Sequence, residues 1–206
     1  VLAGIRTNGS LTGYHTIKFV IQEINLLGHE GYTPTIILRF AEALLNYAEA
    51  KAELGTINQA DLDKSINKLR DRVGIAHLKL DNIPVDPRYT ADGVSPLIVE
   101  IRRERRVELF SEGFRYDDLR RWKQGAKLRQ KDYGMRWDAA NKARFDPNNK
   151  CSLKSENFPG TSINYICPNK GGDFENPVFE TKHYLWPIPV SARSENPALG
   201  QNPGWE

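Results

Sequence analysis

Apolar positions mark out four helical stretches up to Gly125 and then lose their rhythm. Between Thr33 and Gly55, Ile37, Ala41, Leu44, Ala48 and Ala52 recur at steps of three and four, and Phe40, Leu45 and Tyr47 widen the stripe. This period places them on one side of a helix, with Thr33 as its cap, Pro34 in its first turn and Gly55 as its stop. A second helix is predicted from Gln59 to Val73, capped by Asn58 and ended by Gly74, with Leu62, Ile66, Leu69 and Val73 on one stripe. Beyond a Pro- and Asp-rich loop, Ser95 and Pro96 open a third that runs to about Ser111 and is closed by Gly113. Its apolar side carries Leu97, Ile101 and Leu109. A fourth, Tyr116 to Lys123, turns Leu119 and Trp122 inward and stops at Gly125. Ahead of all four, the apolar run Ile17 to Ile24 between Gly13 and Gly28 reads as a strand or extended segment.

The first two helices are joined by a short loop, which makes them an antiparallel αα-hairpin, and Ala41, Ala48 and Ala52 allow close approach of the two backbones. The unit resembles a degenerate tetratricopeptide repeat. One such hairpin cannot build a solenoid, so neighbouring repeats are expected beside it. From Gln130 to Thr181 no period survives: Asn, Gly, Pro and Asp are dense, and the aromatics Tyr133, Trp137, Phe145, Phe158, Tyr165 and Phe174 are scattered. So long a structureless stretch is unusual in a compact domain, and it is expected to be functional or supported by a partner surface. The chain then ends in Tyr184-Leu-Trp-Pro-Ile-Pro189 and Asn196-Pro-Ala-Leu-Gly-Gln-Asn-Pro-Gly-Trp205. Pro187 and Pro189 forbid a helix, and each Asn-Pro pair starts a turn. A tail of this kind must be pinned by packing, with Trp186, Leu199 and Trp205 as the expected anchors.

Composition narrows the function classes. The 206 residues are 39% hydrophobic and 27% charged, an ordinary globular balance that excludes a disordered chain. With 29 basic against 26 acidic residues, and the two signs interleaved, no nucleic-acid surface is predicted. No apolar run reaches the roughly 18 residues of a membrane span, and the start has neither a secretory signal nor an initiator Met, which suggests a trimmed or truncated chain. Cys151 and Cys167 are compatible with one disulfide in an oxidising compartment or with two free thiols.

Residues that can carry chemistry are few. On the third helix Arg102, Arg103, Arg105 and Arg106 interleave with Glu100, Glu104, Glu108 and Glu112, spacings that form ion pairs. Glu104, Arg105, Glu108, Glu112, Arg115 and Asp118 are expected to form a structural charge network, with arginines stacking near Phe114 and Trp122. A glycosidase needs two carboxylates about 5 to 10 Å apart, one of raised pKa, whereas Asp117, Asp118, Glu104 and Glu108 all have arginine neighbours that lower theirs. No catalysis is predicted. His15, His29, His77 and His183 have no metal-ligand spacing, Gly171-Gly172 lacks the Lys-Ser/Thr of a phosphate loop, and no metal or cofactor is predicted. Aromatics among polar loop residues suit carbohydrate, whose C–H faces stack on rings while its hydroxyls find Asn, Asp and Arg. Tyr133, Trp137 and Tyr165, near Arg136, Asn141 and Asn164, have that makeup and are the candidate ligand-binding residues; the competing reading is that they anchor an irregular loop to the helices. Trp122, Trp186 and Trp205 read as packing residues.

Three segments in order, Leu38 to Ala50, Ile101 to Trp122 and the Pro-rich tail, together resemble the SusD/RagB family of nutrient-binding outer-membrane lipoproteins. The resemblance implies a mostly α-helical fold of the α/α-superhelix type, a scaffold of tetratricopeptide-like hairpins with long irregular loops. It also implies binding of oligosaccharide or another nutrient without chemistry, on the external face of the outer membrane, and delivery to a SusC-like TonB-dependent transporter. Members are usually much longer, so the chain resembles the family's C-terminal part, without the lipid-bearing cysteine. Residues 1–206 are then one SusD-like C-terminal domain: an extended lead-in over 1–32, a helical scaffold over 33–125, and irregular loops with the tail over 126–206. Ligand contacts in the family precede this part and are not carried over. The polar face of the hairpin is a plausible transporter contact. The alternative is a helical-repeat adaptor that binds a protein segment and no glycan.

Overall fold

The computed structural model describes residues 10–19, 36–146, 148 and 153–206. The expected cap Thr33 with Pro34, the apolar run from Val20 onward, His29 and Cys151 lie outside the described residues. The described residues form a mostly helical protein with seven α-helices and a two-stranded sheet. The chain divides into two compact units, Phe19–Arg115 and Val1–Lys18 with Tyr116–Glu206.

In the first unit, helix α1 (Phe40–Glu53) packs against α2 (Gln59–Lys64) and α3 (Ile66–Arg72), and most extensively on α4 (Pro96–Glu108). Ala48, Leu62, Ile66, Leu78 and Ile101 form one apolar cluster, and Ala41, Leu45, Leu69 and Leu109 a second. Two of the predicted caps form. Asn58 accepts from the Asp61 amide and Asp61 answers with a bond from the Asn58 amide; Ser95 accepts from the Ile98 amide ahead of Pro96.

Two departures in the hairpin have a physical cause. Helix α1 begins at Phe40, since Arg39 is extended (φ −145°, ψ 152°), and Ile37, expected on its buried stripe, is 85% exposed; Leu38 and Phe40 are exposed too. The Arg39 guanidinium reaches Glu112 with Nε and Nη2, each 2.7 Å from a carboxylate oxygen, and also bonds the Glu108 carboxylate and carbonyl. The predicted second helix is broken at Ser65 into α2 and α3. The buried Ser65 hydroxyl donates to the Asp61 carbonyl at 2.6 Å, a local bond that competes with the helical ladder and bends it. Val73, expected on the stripe, is exposed. The chain after α3 is held by amide side chains: Asn67 bonds both the N–H and C=O of Leu78, and Gln59 bonds the Leu78 carbonyl and the Leu80 amide.

Helix α5 (Phe114–Arg121) is closed by Lys123 in the left-handed region (φ 57°), with Gln124 N–H reaching back to the Leu119 carbonyl, rather than by Gly125. Gly125 serves the packing of Phe179, whose ring would lie 2.0 Å from any Cβ there. The stretch Gln130 to Thr181 is not structureless. It holds α6 (Ala139–Phe145), capped by Asp138, and the strands β1 (Ser155–Asn157) and β2 (Asn164–Ile166), paired antiparallel with Glu156 opposite Tyr165. On the other edge of β2, Gly134, Met135 and Trp137 exchange backbone bonds with Ile166 and Asn164, and the Met135 N–H continues to the Thr12 carbonyl. Met135, Trp137 and Ile166 make the apolar cluster beneath, with Phe145 and Leu153 against it.

The tail is pinned by polar side chains more than by rings. Gln201 accepts from the Ile188 N–H at 2.7 Å and donates to the Ile188 carbonyl at 3.0 Å, mimicking a neighbouring strand. Asn202 Nδ2 donates to the Trp186 carbonyl, and Trp205 Nε1 to the Lys182 and Leu185 carbonyls. Asn196 and Asn202 start the expected turns, and a short helix α7 (Val190–Glu195) lies between. Trp205 is therefore an anchor. Trp186 is not a buried anchor, since 65% of it is exposed and its ring meets the side chains of Tyr116 and Arg120, while its carbonyl is held by Asn202.

Arg39→Ala is expected to lower stability by about 3 kcal/mol, because Glu112 loses its forked guanidinium and Glu108 one of its two arginines, both carboxylates being half-buried; urea unfolding of the full chain measures it. Arg39→Lys should recover only part of that loss, since an ammonium cannot bond Glu112 in the forked manner. A lysine variant as stable as the parent would remove the forked pair from the account.

Candidate functional site

Strand alternation sorts the three aromatic residues singled out in the sequence. Ile166 and Tyr165 are neighbours on β2 and point to opposite faces. Trp137 shares the face of Ile166 and is buried, 8% exposed, against Met135 and Ile166. Tyr165 faces the other way and meets Tyr133, with ring centroids 6.4 Å apart. Phe158, at the start of the β1–β2 turn, completes a triangle at 5.1 Å from Tyr133 and 5.8 Å from Tyr165, with edge-on or tilted rings. Phe158 is 45% exposed and the two tyrosines are half-buried. The structure thus joins two of the three residues and adds Phe158, which sequence periodicity could not pick out because strands of three residues carry too little pattern.

The turn that presents Phe158 is tightly bonded. Phe158 N–H donates to the Ile163 carbonyl at 2.8 Å, and the Thr161 hydroxyl and amide both donate to the Phe158 carbonyl. The polar neighbours have local employment: Asn141 donates to the Arg136 carbonyl, Asn164 to the Ser155 hydroxyl, and Arg136 pairs with Asp138. Gly134 is required by close approach, since a Cβ there would lie 2.3 Å from the Thr12 carbonyl oxygen.

An ionic cluster supports the rings. The Tyr133 hydroxyl donates to Glu156 at 2.9 Å, and Lys131 Nζ lies 3.3 Å from Glu156 and 2.9 Å from Glu175. Lys170 Nζ donates to the Ser155 carbonyl and stands 3.9 Å from Glu156. The Tyr133 hydroxyl first, and Lys131 next, hold the Glu156 carboxyl below the usual range. Lys131 and the Gly171 N–H do the same for Glu175, while Glu175 and Glu156 raise Lys131. Burial, then Glu156, pushes the Tyr133 phenol up. Carboxylates kept ionised in this way accept hydrogen bonds but do not deliver protons, whereas glycoside cleavage needs an acid of raised pKa. Cys167 is a buried free thiol whose pKa burial raises, which makes it unreactive.

No group of metal-binding side chains occurs among the described residues, and no helix among them is long and apolar enough to cross a membrane. A model of the SusD family matches residues 2–205. The chain belongs to the SusD family. A crystal structure of a SusD-like protein from Bacteroides fragilis is similar, with 27% sequence identity and a TM-score of 0.52 over 82% of this chain. The match covers 25% of that protein, so this SusD-family chain spans about a quarter of its length. No curated protein matches the chain.

The cluster gives a pH dependence with a defined sign. Glu156 and Glu175 contribute stability that is complete above the ordinary glutamate value of about 4.3 and is lost as pH falls through their lower folded values. Lys131 contributes stability complete below about 10.4 and lost as pH rises through its higher folded value. The gap in thermal midpoint between the parent and Lys131→Met should therefore be widest near neutral pH and close below about pH 4. A gap that persists unchanged at pH 3 would mean that Lys131 acts through packing of its stem alone.

Proposed function

We propose that this chain belongs to a cell-surface protein that captures oligosaccharide or a related nutrient without chemistry and hands it to a SusC-like TonB-dependent transporter of the outer membrane. The observation that carries the proposal is the match to the SusD family over nearly every residue. Tyr133, Tyr165 and Phe158 support a sugar as the ligand: a half-exposed ring triangle offers faces for C–H stacking, and Glu156 and Lys131 beside it offer partners to hydroxyls. Trp137 is buried on the opposite face of the sheet and takes no part in contact with ligand.

Affinity gel electrophoresis through gels containing a soluble α-glucan, β-glucan, xylan or mannan tests the reading. At least one polysaccharide should retard the full chain, and Phe158→Ala should weaken that retardation by about three- to tenfold, the scale of one aromatic contact. Normal migration in all four gels would remove the carbohydrate from the proposal. Co-purification of a TonB-dependent transporter with the chain from outer membranes checks the partner separately.

A further inference from the structure

We propose a second oligosaccharide contact on the same unit, built by Trp186, Tyr116, Arg120 and Asp117. It rests on the carbohydrate reading above but uses none of the residues of the Tyr133 face. Trp186 is 65% exposed, yet the backbone around it is among the most firmly bonded in the tail. Its own carbonyl accepts from Asn202 at 2.6 Å, the Leu185 carbonyl accepts from Trp205 at 3.2 Å, and Ile188 is held on both polar atoms by Gln201. Pro187 fixes the following backbone angle. The chain therefore holds a large ring in solvent on a backbone with little freedom, and rigid presentation of this kind lowers the entropic cost of binding.

What surrounds the ring decides its partner. Tyr116 lies with its ring centroid 6.0 Å from that of Trp186 and the planes inclined at 41°, so the two rings form a shallow open angle. The Arg120 guanidinium sits 5.4 Å from both centroids, fixed by a bond from Nη2 to the Tyr184 carbonyl, and its Nε is buried without a partner. Asp117, 77% exposed, stands 3.7 Å from Arg120 Nη1. An apolar helix laid on these rings would strip water from Asp117 and Arg120 without giving them partners. A pyranose chain satisfies both halves: its C–H faces stack on the indole and phenol, and its hydroxyls reach the carboxylate and the guanidinium.

The test is affinity gel electrophoresis of the full chain with the same soluble α-glucan, β-glucan, xylan and mannan, comparing Trp186→Ala, Trp186→Phe and Asp117→Asn with the parent. Thermal midpoints accompany each variant. For the retarding polysaccharide, Trp186→Ala should weaken binding about three- to tenfold, the phenylalanine variant should recover part of it, and Asp117→Asn should weaken it with an unchanged midpoint. Asp117 is too exposed for its substitution to disturb folding, so it decides the matter should the alanine variant prove unstable. Retardation of the parent that none of the three variants alters overturns this second contact and leaves the Tyr133 reading intact. No retardation of the parent in any gel overturns both.

Discussion

A row of four carboxylates, Glu100, Glu104, Glu108 and Glu112, each four residues from the last, sets the register of the helical unit. Each meets a guanidinium from elsewhere: Arg70 lies 2.5 Å from Glu104 and 3.7 Å from Glu100, Arg72 bonds Glu108, and Arg39 bridges Glu108 and Glu112. Apolar packing of α1, α3 and α4 would tolerate sliding by a turn, since Leu, Ile and Ala surfaces are forgiving. Forked pairs do not, because each guanidinium must face one particular carboxylate. The row also carries an electrostatic cost. Glu100 is almost wholly buried, and burial raises its pKa against the pull of Arg103 and Arg70. Such groups fix arrangement more than they add stability.

The second unit meets the same need for register largely with hydrogen bonds from side chains to its own backbone. Its backbone is irregular, so its N–H and C=O groups need partners that a helix would otherwise provide. Gln201 supplies them to Ile188, Asn202 to Trp186, Trp205 to Lys182 and Lys170 to Ser155. A loop region dense in Asn, Gln and Gly is thus a folded object whose order comes from side-chain amides, and lack of period in the sequence is no sign of lack of structure.

This division explains what could be read from the sequence. Helix caps and stops are local chemistry, and Asn58, Ser95, Gly55 and Gly74 act where the residue types place them. The start of α1 is not local: Arg39 is drawn away by carboxylates about seventy positions on, and no pattern around Ile37 reveals that. The break at Ser65 depends on a hydroxyl that turns to its own backbone, one of several options open to a serine. The mostly α fold was legible for the same reason that the sheet was not, since strands of three residues offer no period. Among the aromatics, composition suggested Tyr133, Trp137 and Tyr165 alike, and only the face assigned by β2 separates Trp137 from the others. Trp186 was read as an anchor because its motif looks like packing; the anchoring is done by Gln201, Asn202 and Trp205 instead.

A protein that captures and releases a ligand without altering it has two requirements that usually conflict. The contact surface must be preformed, or ordering it on each encounter consumes the binding energy; and the binding must stay shallow enough to let the ligand go. Edge-on aromatic rings held by hydrogen-bonded turns meet both. Each ring adds about 0.5–1.5 kcal/mol, and the rigid turns beneath Phe158 and Trp186 spare most of the ordering cost. Beside Phe158, Glu156 and Glu175 are kept ionised by their partners, so on the proposed reading they accept from hydroxyls and supply no acid to a glycosidic bond. On the proposed reading, the ion pairs that keep the Tyr133 rings in position also withhold the acid that glycoside cleavage would need.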